Sequence, residues 1–560
     1  MNAGCRMSFP WLVPLLLACM ISDALVGAES PLARAQANPK RPLGRRPADF
    51  VQTSAAGDRF RPLPAVRFSK GTPRPGVVVT VTPTAPRQVI EGIGGALTES
   101  SAFVLANLPR SKRDWILDQC FGPKGADFTM ARTHIGACDF CVEGRYSYDD
   151  VPGDVALKHF SIAPDLRGFP GAKDPTYALL PLIKGALTRN PRLKIVASPW
   201  TAPSWMKDNQ DWYGQGVGGA LLPQHRDTFA RYMIEYLKAY QRQGVTIWGI
   251  TPENEPLGNG GQWESMEFTS TAMRDYISQH LGPQLMCHGL GGVKIIQFDH
   301  NRDADAIRFS EEALGVPTTA AFVWGTGLHW YSSTNSAIIP VLDQLHDRFP
   351  NKPILHTEGC IDGIRTEDSS PGGRFLGWKN EAWWWTESAT DWGYYWAPPS
   401  EKSAHPRYAP VHRYARDLID GLNHWFVGWI DWNLVLDQNG GPNHVNNFCA
   451  APIMVDRSTG EAYFTPLYYV MAHFSRYLRP GDSIVEVSTV TPGLGSDDFR
   501  ATAAVSKDKT SLVVIAFNKS GQPISFDIQI GSLCAPVVIP SNAIQTMRFG
   551  LSNLAREVTR

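Results

Sequence analysis

Between residues 88 and 432, short apolar runs alternate with longer segments whose apolar positions recur every three or four residues, and this alternation constrains the fold more than any other feature. The runs are QVIEGIGG (88–95), FTMARTHI (128–135), LKIVAS (193–198), VTIWGI (245–250), VKIIQF (293–298), GTGLHW (325–330), KPILHT (352–357) and VGWIDW (427–432). HRDTFARYMIEYLKAYQRQG (225–244) is typical of the segments between them: it carries a helical stripe and closes on Gly244. Strands that return in parallel need crossover helices. Eight such units predict a (β/α)8 TIM barrel, an α/β fold whose sites lie at the C-terminal strand ends.

The flanks read differently. From about residue 483 the runs SLVVIAFN (511–518), ISFDIQI (524–530) and APVVIP (535–540) are short and punctuated by turns. They predict a small antiparallel β domain, and VVVTVTP (77–83) has the character of a strand joining it. GIGGAL (92–97) is no dinucleotide fingerprint, since Leu97 occupies the third glycine position. At the N-terminus, Arg6 precedes FPWLVPLLLACMI, and Val26-Gly27-Ala28 offers small residues for cleavage, the pattern of an export signal. The mature protein is therefore expected to be secreted or periplasmic, with lipid anchoring at Cys19 as the lesser alternative. Residues 30–75 hold ten Lys/Arg against Asp49 and Asp58, with eight prolines, and read as a disordered linker. The expected partition is signal peptide 1–28, linker 29–75, strands joining a β-sandwich 76–91, barrel 92–455 and β-sandwich 456–560.

With 560 residues and no net charge, the chain can bury one large and one smaller domain and shows no electrostatic footprint for nucleic acid. Seven cysteines lie beyond the signal, too few for a disulfide scaffold, and CDFC (138–141) lacks the second pair of a tetrahedral metal site. No metal or cofactor is expected.

The residues just after each strand carry the chemistry. They are Asp139, Trp200, Asn254 and Glu255, Asp299 and His300, His329 and Tyr331, Glu358, and Trp432 and Asn433. Each alone is more readily explained by packing. Together on one rim, two glutamates among indoles and amides form a pocket suited to a sugar, because carboxylates bond hydroxyls and Trp covers the C–H face.

TPENEP (251–256), HTEGC (356–360), ASPWTAPSW (197–205), ACDF (137–140), LHWY (328–331) and GWIDWNL…GGPNHVNNF (428–448) together resemble the family 30 glycoside hydrolases, over roughly residues 77–550. The resemblance implies a barrel with a β-sandwich built from both chain ends and a retaining mechanism without cofactor. It implies Glu255 as acid/base, Glu358 as nucleophile and Asn254 as a partner of the sugar 2-hydroxyl. Asp139, Trp200, Trp432 and Asn447 match sugar-contacting positions, His329 and Tyr331 match residues supporting the nucleophile, and Trp263 matches an aromatic on the aglycone side. Glu253 precedes the motif's amide and is expected to be structural.

An insertion near 379–414, containing EAWWWTESATDWGYYW, departs from the family pattern. Its aromatics form either a plug or a wall of the aglycone subsite. The implied activity is hydrolysis of β-glucosides, of the glucosylceramide type. A β-1,6-glucanase or other β-glycan hydrolase is the alternative, and an inactive carbohydrate-binding protein a remote one. The partner is a carbohydrate or glycolipid, with peripheral membrane contact if the substrate is a lipid.

Overall fold

The computed structural model describes residues 49–214, 219–361, 379–390 and 398–554. Two strands, β1 (Phe50–Ser54) and β2 (Val77–Val89), precede the barrel. The barrel strands are β3 (Gly92–Ala96), β4 (Met130–Ile135), β5 (Lys194–Pro199), β6 (Gly249–Ile250), β7 (Lys294–Asn301), β8 (Val323–His329), β9 (Ile354–Glu358) and β10 (Phe426–Asp431). They pair in parallel all the way round and close from β10 to β3, so the eight expected runs supply the eight staves. Strands covered on both sides can be apolar throughout, which is why the runs lack alternation; every residue of β4 and β9 is buried. The helix Arg226–Arg242 turns Phe229, Tyr232, Met233, Tyr236, Leu237 and Tyr240 inward, and Gly244 leaves it at φ +79, the left-handed conformation glycine tolerates. Gly94 serves contact of another kind: a Cβ there would meet the Met130 carbonyl oxygen at 1.8 Å, so only glycine lets β3 and β4 approach.

The barrel interior changes character along its axis. Met130, Val196, Ile296, Leu355 and Ile430 form an apolar plug near the N-terminal strand ends, against which Trp248 and Trp324 pack edge to face at 4.9 Å. Two residues further along β4 and β5, on the same face, stand Arg132 and Ser198. The polar layer above the plug is the floor of the site.

After the barrel come β11 (Ser483–Val490), β12 (Phe499–Val505), β13 (Ser511–Asn518), β14 (Ile524–Ile530), β15 (Leu533–Ile539) and β16 (Ala543–Gly550). They form one continuous sheet in the order β1-β16-β13-β12-β11-β2-β14-β15, extended at its edges by Arg61–Pro62 and Ser69–Lys70. Phe50 near one edge and Val537 near the other share a single apolar cluster, so the sheet folds over itself as a sandwich.

Two expected boundaries move. Residues 49–75 are not a linker: β1 is buried and pairs with β16 along its whole length, and Arg74 binds Asp527 through its backbone N–H (2.7 Å) and its Nε (2.9 Å). Basic, proline-rich composition described the surface of this stretch and hid a strand whose partner lies almost at the other end of the chain. Residues 456–478 belong with the barrel, because the helix Pro466–Ser475 packs on β3 and on the helix Pro410–Asn423. That helix also binds the sandwich: His473 meets Thr546 Oγ1 at 2.8 Å and Thr53 Oγ1 at 2.9 Å. Burial presses its imidazole down to a pKa of about 3, so it is neutral there.

The insertion is a plug where it is described. Trp384 and Trp385 are buried, Trp383 meets Trp384 edge to face at 4.9 Å, and Trp385 Nε1 donates to Glu381 at 3.2 Å. Glu381 also accepts from Tyr463 (2.9 Å) and pairs with Arg59, tying the insertion to the segment once expected to be linker. Trp392, Tyr394, Tyr395 and Trp396 lie outside the described residues, as do the expected signal segment and Cys19. No described helix is long and apolar enough to cross a membrane.

Candidate active site

Arg132, projecting from β4, is the hub of the site and is fully buried. Its guanidinium donates to Glu358 Oε2, to Asn254 Oδ1 (2.7 Å), to Asp299 Oδ2 (2.7 Å) and to Ser198 Oγ (3.2 Å). The planar fork suits a residue that must fix several acceptors at once. Above it, Trp200 and Trp432 stack at 5.1 Å, and the guanidinium lies 4.9 Å from the Trp200 ring centre.

The two glutamates meet through one imidazole. His329 Nδ1 is 3.1 Å from Glu255 Oε1 and 3.8 Å from Glu358 Oε1. The carboxylate oxygens are therefore separated by no more than those two distances end to end, a reach compatible with the about 5–5.5 Å of a retaining pair. His329 Nε2 lies 3.0 Å from Asp299 Oδ1, which acts as its acceptor and leaves Nδ1 to share a proton with Glu255. His329 was expected to support the nucleophile; the end of β8 places its ring between the two carboxylates, with Nδ1 bonded to Glu255 and also facing Glu358. Tyr331, expected beside the same carboxylate, donates its hydroxyl to Glu358 Oε1 at 2.9 Å.

Burial opposes ionisation of Glu255, yet the imidazoles of His300 and His329 outweigh it and hold the carboxyl below its usual range. Burial also works against charge on His329, but Glu358, Asp299 and Glu255 push its pKa up to about 9. The coupled pair shares a proton that these shifts draw toward the imidazole. Burial raises Glu358 above the ordinary carboxylate range, with His329 and Arg132 opposing it. His300 Nδ1, 3.7 Å from Glu255 Oε1, has no hydrogen-bond partner among the described residues.

Backbone strain gathers at the same rim. Glu255, Phe298, Asp299 and Asn433 all have positive φ, from 52 to 72, a conformation that branched or bulky residues rarely hold without support. Glu255 is held by its N–H to the Asp299 carbonyl (3.0 Å) and Asn254 by its N–H to that of Pro199 (2.7 Å).

The positions expected to contact sugar lie against one another. Asp139 Oδ2 accepts from Asn447 Nδ2 at 2.9 Å, while its buried Oδ1 has no partner among the described residues; burial, with Glu358 adding to it, raises the carboxyl well above its ordinary range. Phe140 meets Trp432 edge to face at 5.8 Å. Trp263 is half-buried on the loop after β6, with no hydrogen bond or ring contact to the two glutamates among the described residues. Glu253 is fully buried, and that burial raises its carboxyl well above the ordinary range; neither of its oxygens has a hydrogen-bond partner among the described residues. His134 joins Cys138 and Cys141 in a cluster of metal-ligand types. Its ring is already engaged, Nδ1 with the Gly136 carbonyl at 2.6 Å and Nε2 accepting from the Glu99 N–H at 3.2 Å.

The family description "Glycosyl hydrolase family 30 TIM-barrel domain" matches residues 90–379 and 400–478. The mouse lysosomal acid glucosylceramidase is 29% identical over 458 residues, covering 81% of this chain and 79% of that protein. An endo-1,6-β-D-glucanase of Neurospora crassa is 29% identical over 495 residues, covering 86% and 90%. The crystal structure of SrfJ from Salmonella typhimurium superposes with a TM-score of 0.74 at 26% identity, over 89% of this chain and 98% of that one.

Proposed function

The chain belongs to glycosyl hydrolase family 30 and is a glycosidase, and from that premise we propose that it hydrolyses β-glucosides of the glucosylceramide type with retention, using Glu358 as nucleophile and Glu255 as acid and base. The observation that supports this most directly is the single imidazole nitrogen of His329 spanning both carboxylates.

Asp139, with one oxygen unpartnered, and the stacked Trp200 and Trp432 seat the glycone. Asn254 accepts from Arg132 through its Oδ1, which turns its Nδ2 donor toward the 2-hydroxyl. Arg132 and Tyr331 hold Glu358 in line with the anomeric carbon and stabilise its charge. When the glycosidic oxygen comes to Glu255, the proton shared with His329 crosses to the carboxyl and then to the departing oxygen, while Glu358 bonds the sugar. Glu255, now ionised beside a neutral imidazole, takes a proton from the water that cleaves the ester. Asp299 keeps the imidazole in one orientation throughout.

A second reading, hydrolysis of β-1,6-glucan, is favoured by two observations. The similarity to the Neurospora glucanase spans as much of this chain as that to the glucosylceramidase, and Trp384 and Trp385 are buried instead of forming an apolar aglycone wall. A panel of aryl β-glucoside, glucosylceramide and β-1,6-glucan, with the product anomer followed by NMR, tests the proposal. Retention with preference for glucosylceramide supports it, preference for glucan selects the second reading, and inversion refutes the mechanism. Export through residues 1–28 belongs to the same proposal, as does peripheral membrane contact with a lipid substrate.

A further inference from the structure

Two thiol pairs flank the glycone pocket. Cys138 and Cys141 bracket Asp139 with their sulfurs 4.0 Å apart. Cys360 lies two residues beyond Glu358 and Cys449 two beyond Asn447, and their sulfurs are 3.0 Å apart. We propose that Cys360 and Cys449 form a disulfide that ties the strand end carrying Glu358 to the loop carrying Asn447.

A short backbone bridge lies beside the two sulfurs. Ile361 and Ala450 face one another in an antiparallel bridge, with the Ala450 N–H on the Ile361 carbonyl at 2.9 Å. The residues preceding each of them therefore point to the same face, diagonally across the bridge. Neighbouring bonds hold both positions: Trp432 N–H to the Gly359 carbonyl at 2.8 Å, and Cys449 N–H to the Gly440 carbonyl at 3.0 Å. The sulfurs, 3.0 Å apart, need to close by about 1 Å to reach the roughly 2.05 Å of a disulfide.

The bond would act on the site through its two anchors. Asn447 donates to Asp139, and Glu358 accepts from Arg132 and Tyr331, so the cross-link would fix the glycone-binding side to the nucleophile side. In forming it, two S–H bonds break and one S–S bond forms. Two electrons and two protons pass to a low-molecular-weight disulfide of the glutathione type, which leaves as two thiols.

The test uses the full chain incubated in a glutathione buffer poised oxidising, then denatured with an alkylating agent and digested. The expected result is a peptide carrying Cys360 joined to one carrying Cys449, with Cys138 and Cys141 alkylated. The bond would close a loop between residues 89 positions apart, so reducing it should lower the Tm by about 4 °C. Cys449→Val should melt like the reduced wild type and ignore the redox buffer. Wild-type protein in which Cys360 and Cys449 are both alkylated after oxidising incubation, or whose Tm is the same oxidised and reduced, overturns the proposal. That comparison needs no variant to fold.

Discussion

Replacing Arg132 with Met should move the acid limb of the enzyme's pH profile, and the structure sets the direction of the shift. The guanidinium is fully buried between Asp299 and Glu358. Removing it takes a buried cation from between two buried carboxylates and leaves them only the imidazole of His329, which costs about 3–5 kcal/mol. For a protein this large, that corresponds to a Tm lower by about 3–5 °C. The catalytic effect is separate. A hydrogen bond from a charged donor contributes about 1.5–3 kcal/mol, so its loss should push the Glu358 carboxyl further above the ordinary carboxylate range, since Arg132 is one of the two groups opposing the rise that burial causes. The nucleophile must be ionised to attack. Activity should therefore fall about 10–100-fold below the displaced limb and recover as pH rises through it. An activated aryl glucoside makes the assay report on Glu358 alone, since its leaving group needs no proton. Measuring kcat/KM against pH alongside a melting curve separates the two effects. A folded variant whose acid limb has not moved would refute the role given to Arg132.

Glu255→Ala should slow substrates with poor leaving groups by orders of magnitude while still forming the intermediate from activated aryl glucosides. Added azide should restore turnover as the β-glycosyl azide, and equal loss on both substrates without rescue would demote Glu255 to structure. Acid should destabilise the fold through His473, whose folded pKa of about 3 lies far below an unfolded value near 6.5. Its stabilisation is complete above about pH 6.5 and is lost as pH falls toward 3, amounting to about 2 kcal/mol by pH 5. His473→Gln should flatten that part of the Tm–pH curve, and an unchanged curve counts against the argument. Trp384→Ala should lower the Tm, since truncating a buried Trp costs about 3–5 kcal/mol. It should reduce kcat/KM for an aryl glucoside and for a long substrate by the same factor; selective loss on the long one would return Trp384 to the aglycone wall.

The barrel was legible in the sequence because all eight strands are buried on both faces and each is followed by a chain segment long enough to return. The two glutamates were legible because strand ends in such a barrel converge. Arg132 was missed. It sits mid-strand in FTMARTHI, where the only signal was a full charge inside a run otherwise too apolar to face water. Its partners come from three other strands and from the loop after β6, and no spacing within one stretch reveals that. β1 was missed for the opposite reason: FVQTS has two apolar residues in five, and its stability comes from pairing with β16. The division of labour at His329 depended on ring position between two carboxylates, which chain order does not encode. Trp384 and Trp385 read equally well as plug or wall until their burial was known.

The central claim is that Glu358 attacks the anomeric carbon. It is tested most directly with a 2-deoxy-2-fluoro β-glycoside bearing an activated leaving group, built on the glycone that the substrate panel turns over fastest. The fluorine slows hydrolysis of the intermediate, so the sugar should accumulate on the enzyme in step with loss of activity. Peptide mapping should place it on Glu358, and Glu358→Gln should take up none. A sugar bound to any other residue, or inactivation of Glu358→Gln at the wild-type rate, would contradict the account.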